Sequence, residues 1–223
     1  MASVVDICNL ALAHLGDDAS VSSIDPPENS AQAQYCARFY PIARDTTIER
    51  HTWGFATVRA NLAQVENSWP EWDYAYAAPQ DAINIIAVLP ADAQDDYSSS
   101  LSPYPTILSG VPNSAGGAYV PQQYSCEVNE SGAQVILTDQ PKAALRYTRI
   151  VEDTTMFSPL FVDAVAFLLA SYLAGPIIKG LEGAQMSAAM LKAFREVISE
   201  AKESDSGQRR VQPIHNVAWI VGR

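Results

Sequence analysis

The sequence predicts an α+β protein: an antiparallel helical bundle with an inserted antiparallel β domain and an extended C-terminal arm. Three observations predict it. Apolar residues recur at three- and four-residue steps near both ends, in 1–52 and in 154–205, as the buried face of a helix requires. Between them, in 53–153, β-branched and aromatic residues alternate with polar ones at a period of two. After a polar linker, residues 206–223 carry an apolar stretch with no helical period.

The first helix starts at Ser3, with Asp6 at the capping-box position, and Gly16 supplies a left-handed C-terminal residue. It is short and apolar on most sides, with Val4, Ile7, Cys8, Leu10, Ala11, Leu12 and Leu15, so it must pack on other helices. Residues 17–29 hold Ser20, Ser22, Ser23, Asp25, Pro26 and Pro27, a turn-forming loop. The second helix begins at Ser30 or Asn29, and Ala33, Tyr35, Cys36, Phe39, Tyr40, Ile42, Ala43, Thr47 and Ile48 recur at the three- and four-residue steps of one helical face. Pro41 removes one backbone hydrogen bond in its middle and predicts a kink near Ala37. His51, beside Trp53 at the helix end, is a candidate cap for that helix's C-terminus.

Strands are expected within 55–65 and 74–89, with Trp72, Tyr74 and Tyr76 on one face and turns at 67–71 and 79–81. Residues 90–125 are a long excursion with a candidate hairpin, Thr106–Leu108 against Ala118–Val120. Then Tyr124–Val128 turns at Asn129-Glu130-Ser131-Gly132 into Ala133–Thr138, and Lys142–Val151 alternates. The aromatic residues read as sheet packing rather than as a stacking platform for sugars or bases. Ser158-Pro159 opens a third helix that Gly175-Pro176 ends or bends. A fourth runs from about Gly183 to Ser204 on a stripe of Met186, Met190, Leu191, Phe194, Val197, Ile198 and Ala201.

Composition narrows the function classes. With 223 residues, 48% of them hydrophobic and 17% charged, the chain can bury a real core. The net charge of −11 repels phosphates, which argues against a gripping nucleic-acid surface. The cysteines Cys8, Cys36 and Cys126 form no CxxC pair and read as reduced, with the first two as small apolar filler. The N-terminus has no secretion-signal pattern, and the uncharged run Ala164–Ile178 falls short of the roughly 20 residues that a spanning helix needs. A protein made in a reducing cytoplasm is expected.

No HExxH, GxGxxG, Walker A or GxSxG motif is present, and His14, His51 and His215 are far apart. No catalytic, metal-binding or cofactor-binding residue is expected. The best enzymatic alternative pairs acids such as Glu49, or the Asp92, Asp95 and Asp96 group, for glycoside hydrolysis of cell wall. A generic partner-binding α+β domain is the other alternative. The tail contains Arg209, Arg210, Val211, Ile214, Val217, Trp219, Ile220 and Val221 beyond a hydrophilic linker. It can fold back as a strand or leave its own subunit to dock on another protein.

One word order stands out. A leader helix holds Asn9 and Leu12 and closes at Leu15-Gly16, followed by Ala37-x-x-Tyr40-Pro41-x-Ala43-Arg44-Asp45. Next come Arg50-His51-Thr52-Trp53-Gly54-Phe55-Ala56 and Arg59-x-x-Leu62-Ala63. Taken together, and best over residues 4–90, the set resembles the head-to-tail adaptor (connector) proteins of short-tailed bacteriophages, the tail tubular protein A type. The resemblance implies a virion tail protein at the head–tail junction, a homo-oligomeric ring (a dodecamer) between the portal protein and the tail nozzle or tube, with tail fibre proteins as further partners. It implies an arm that reaches the portal and a lumen that DNA traverses during ejection without specific binding. The helices would make the ring body and the β domain would face the tail proteins. The signature positions are Asn9, Leu12, Gly16, Tyr40, Arg44, Asp45, His51, Trp53, Phe55 and Ala56.

Overall fold

The structure is a computed structural model that describes residues 2–18, 20–90 and 122–208. It is a mixed α+β fold in two compact units. Of the described residues, one is drawn from those within 2–56 and 150–208, the other from those within 57–149. Among the described residues, four helices fall in the first unit and seven strands, in two antiparallel sheets, in the second. The candidate hairpin at 106–108 and 118–120, and the tail from Arg209 onward, lie outside the described residues.

Helix α1, Val4–His14, is closed by a full capping box: the Asp6 amide donates to Ser3 Oγ and the Ser3 amide donates to Asp6 Oδ2 at 2.8 Å. Those bonds from Ser3 hold the Asp6 carboxyl below its ordinary value. Gly16 follows with φ +73, a conformation that costs a residue with a Cβ. Helix α2, Ala31–Glu49, is capped by Ser30, whose Oγ accepts from the Ala33 amide, and it continues through Pro41.

Helix α3, Pro159–Ile178, is longer than the sequence suggested. It starts as expected, with Ser158 as its cap and Pro159 in the first turn, and carries through Gly175-Pro176 to its end, so these two residues do not stop it. At 20 residues it is long and apolar enough, by length and composition, to cross a membrane. Its packing against α1, α2 and the fourth helix marks it instead as the central core helix of its unit, which is why it is apolar all round.

Helix α4, Gly180–Gly207, extends past both expected ends. A one-residue turn at Lys179, φ +62, joins it to α3. The two helices approach closely at Gly183, where a Cβ would stand 2.9 Å from the Ala174 carbonyl oxygen. One turn on, Ser187 Oγ donates to the Ser171 carbonyl at 2.7 Å. Phe194, Ile198 and Ala201 of the expected stripe are buried, while Met186, Met190, Leu191 and Val197 are half-buried.

Cys8 and Cys36 are both fully buried, as apolar filler should be. A hydrogen bond with Cys36, together with burial, raises the Cys8 thiol far above its usual range, so it has no thiolate character. His14 stacks on Phe167 with ring centroids 4.1 Å apart, and its Nε2 is buried without a partner. Desolvation lowers its pKa below 6.5, against an opposing pull from Asp163. The unfolded chain therefore takes up the proton first. Stability should fall as the pH drops from about 6.5 through the lowered value, and His14→Phe should flatten that slope, read as urea midpoints between pH 7 and 5.

In the second unit the strands are β1 Thr57–Asn61, β2 Gln64–Val65, β3 Tyr74–Ala77, β4 Ala82–Pro90, β5 Tyr124–Val128, β6 Gln134–Thr138 and β7 Ala143–Arg149. One sheet is ordered β1-β7-β4, the other β2-β3-β6-β5. The β5–β6 turn uses Gly132 at φ +81, and Asn129 Oδ1 accepts from the Ser131 and Ala133 amides. Val88, Leu145 and Tyr147 of the first sheet pack with Tyr76 and Ile136 of the second, so the sheets share one core. β4 shifts register twice against β7, which twists this edge away from straight pairing. Tyr74 and Tyr76 face that core, whereas Trp72 precedes β3 and packs on the other side with Ala75, Val135 and Leu137. The expectation of one aromatic face is corrected: the chain turns at 70–73 before the strand period begins.

Candidate functional site

The signature residues gather at two places in the helical unit. The first is a cleft of about 670 Å³ alongside the middle of α2. Tyr40, Pro41 and Arg44 line it from α2, Val4 and Val5 from the start of α1, and Ile24 and Asp25 from the 17–29 loop. Asn9 holds that loop in place, since its Nδ2 donates to the Val21 carbonyl at 3.0 Å and its Oδ1 accepts from the Val21 amide at 2.8 Å.

Arg44 is the charged centre of the cleft, with its side chain only 9% exposed. Its Nε donates to Asp45 Oδ1 at 2.8 Å, and its NH1 lies 3.6 Å from Glu152 Oε1. Glu152 is 82% exposed, so the second pairing is screened and weak. Tyr40 is 3% exposed and its hydroxyl has no partner. Burial pushes the phenol up to about 12, against the lowering pull of Arg44. Proline at 41 has no N–H, so the Ala37 carbonyl on the cleft wall loses its usual helical donor.

The second place is the aromatic turn after α2. Trp53 is fully buried, and its indole N–H donates to the Thr47 carbonyl at 3.0 Å, one of the last carbonyls of α2. Phe55 and Phe161 stand 5.9 and 5.0 Å from the Trp53 ring, and Phe157 packs 4.7 Å from Phe161. The His51 ring meets Trp53 edge-on at 4.9 Å, and its Nε2 lies 3.3 Å from Asp205 Oδ2. The expected cap at the end of α2 is thus supplied by Trp53, while the His51 side chain turns to α4. Asp205 also accepts from the Gly54 amide at 3.1 Å and ties the end of α4 to this turn. Leu12 and Ala56 are buried packing residues, and Gly16 closes α1.

Sequence reading missed Glu152 and Asp205, which lie about a hundred or more positions from the groups they meet. Asp205 stands at the boundary between the expected helical stretch and the polar linker, where no local signal tells a helix's last turn from the residues that follow. Glu49 is exposed at the end of α2. Asp92, Asp95 and Asp96 lie outside the described residues, as do Arg209, Arg210, Val211, Ile214, Val217, Trp219, Ile220 and Val221. Among the described residues no group of three His, Cys, Asp or Glu side chains could hold a metal ion.

The chemistry available at the cleft is recognition. It presents a buried guanidinium and apolar walls, and its one phenol, without a hydrogen-bond partner, is held protonated by burial. No protein-family model matches the chain, and a comparison with curated proteins finds no significant match.

Proposed function

We propose that this chain is a structural interaction protein, a head-to-tail adaptor of a short-tailed bacteriophage, with no enzymatic role. In this reading residues 1–52 and 154–205 form a helical bundle, 53–153 an inserted β domain, and 206–223 a linker and arm. Subunits close into a ring between the portal protein and the tail nozzle, and DNA passes through the lumen. A ring needs heterologous contacts, one face of a subunit meeting a different face of the next.

The observation that carries the reading is where the signature residues lie. Trp53, Phe55, Ala56 and Leu12 build the helical core, His51 faces α4 at Asp205, and Tyr40 and Arg44 line an open cleft. The word order of the resemblance thus corresponds to a packed scaffold with a recognition surface. An acidic body, with 25 Asp and Glu against 14 Lys and Arg, suits a channel wall along which DNA must slide.

Mass photometry of the purified chain, alone and mixed with its candidate portal, tests this. Portal-dependent assembly into one large closed species is expected. Deleting residues 208–223 should leave the far-UV circular dichroism spectrum unchanged and abolish portal attachment. A monomer indifferent to the portal overturns the reading, and clearing of peptidoglycan by that monomer would put a hydrolase in its place.

A further inference from the structure

We propose that the tip of the α3–α4 hairpin, Lys179–Glu182, of one copy of this chain docks in the cleft beside α2 of the next copy. The inference rests on the ring reading and names the two unlike faces that such a ring needs. At the tip Leu181 is 75% exposed, the most exposed large hydrophobic residue among those described. Lys179 and Glu182 stand on either side of it, both exposed. Lys179 has φ +62 and ψ 169, a region that normally belongs to glycine, so a charged side chain is carried where glycine would sit with less strain.

The cleft matches this tip group by group. Val4, Val5, Ile24 and Pro41 give it apolar walls, which suit Leu181. Arg44 is its buried cation. Asp45 takes the Nε of Arg44, but NH1 lies 3.6 Å from Glu152, too far for a hydrogen bond, so the outer edge of the guanidinium can take the Glu182 carboxylate. The Tyr40 hydroxyl, buried and without a partner, stands one helical turn from Arg44 and offers a further donor. Glu152, released from Arg44, joins Asp25 as an exposed carboxylate for Lys179. A partner of one charge sign would leave Arg44 or the two acids opposed; Lys179 with Glu182 satisfies both.

Position makes the occupant a second copy. Phe39 of α2 meets Tyr172 of α3, and Trp53 beyond the end of α2 meets Phe161 near the start of α3, so the two helices run antiparallel. From the level of Phe39 and Tyr172, the tip lies onward along α3 and Arg44 lies the opposite way along α2. At about 1.5 Å per helical residue they are on the order of 15 Å apart along the axis. The tip is the closed end of a packed helix pair, so it cannot fold back into its own subunit's cleft.

The test uses the full chain with p-benzoylphenylalanine in place of Leu181, as a mixture of unlabelled and nitrogen-isotope-labelled protein. It is irradiated alone at high concentration and again with the candidate portal. Mass spectrometry should find mixed-isotope crosslinks from position 181 to peptides of the cleft, within 2–5, 22–25 or 37–44. Glu182→Lys should cut their yield by about 5-fold or more. Lys179→Glu should do the same, and Glu152→Lys in that background should restore it. All three are exposed residues, and circular dichroism checks that each variant is folded. Mixed-isotope crosslinks only to other surfaces, none under either condition, or a yield indifferent to Glu182→Lys would each overturn the proposal. Failure of the adaptor reading shows separately, as no portal-dependent assembly in mass photometry whatever the crosslinks map to.

Discussion

Trp53→Ala should lower the unfolding free energy of the helical unit by about 3–5 kcal/mol. The ring is fully buried, and it is held by the aromatic side chains of Phe55 and Phe161 and by the edge of His51. Those neighbours belong to the turn and to α3, so they cannot all move inward to fill the void left by an indole. The substitution also strands the Thr47 carbonyl, a buried acceptor at the end of α2. Trp53→Phe separates the two effects: it keeps most of the ring contact and loses the donor, at a cost of about 1–3 kcal/mol. Chemical denaturation followed by helical circular dichroism reads both. A loss below about 1 kcal/mol for the alanine variant would mean that the aromatic cluster rearranges freely and is not the keystone of this unit.

Leu145→Ala should cost the β unit about 2–5 kcal/mol. Leu145 is fully buried in the central strand β7, paired across to Ala60 in β1 and Val88 in β4. Its side chain points into the core shared with Tyr76 and Ile136 of the other sheet. Hydrogen bonding fixes the separation of the strands on either side of it, and Tyr76 is anchored by its own hydroxyl, which donates to the Gln140 carbonyl at 2.8 Å. The cavity therefore stays open. Val128→Ala is the control in the same unit. Val128 is 58% exposed on β5, and the change should stay within about 0.5 kcal/mol. Equal urea midpoints for the two variants would mean that the sheets do not close on each other as their shared core requires.

Local chemistry was the legible part. Ser3 with Asp6, Ser30 and Ser158 are helix starts because a side-chain oxygen can satisfy an orphan amide at that spacing, and all three caps form. Strands β5, β6 and β7 follow from alternation and from the Asn129–Gly132 turn. Helix ends were less legible. Gly175-Pro176 carries a stop signal that the structure overrides, because packing along α1, α2 and α4 outweighs one missing hydrogen bond near a helix end. Trp72 was placed by period alone, and a turn shifted it to the other side of its sheet.

The sequence by itself determined the α+β class, the helix starts, the buried cysteines and the acidic character, since each depends on neighbours within a few positions or on composition. The tertiary structure alone decided that β6 and β7 are interior strands of two different sheets, that Asp205 meets the Gly54 amide and His51, and that Tyr40, Arg44 and Glu152 line one cleft. Those pairings include Asp205 with Gly54, 151 positions apart, and with His51, which is farther still. Many partners at such separations satisfy the same charge and hydrogen-bonding rules, and only the packing of the whole chain selects among them.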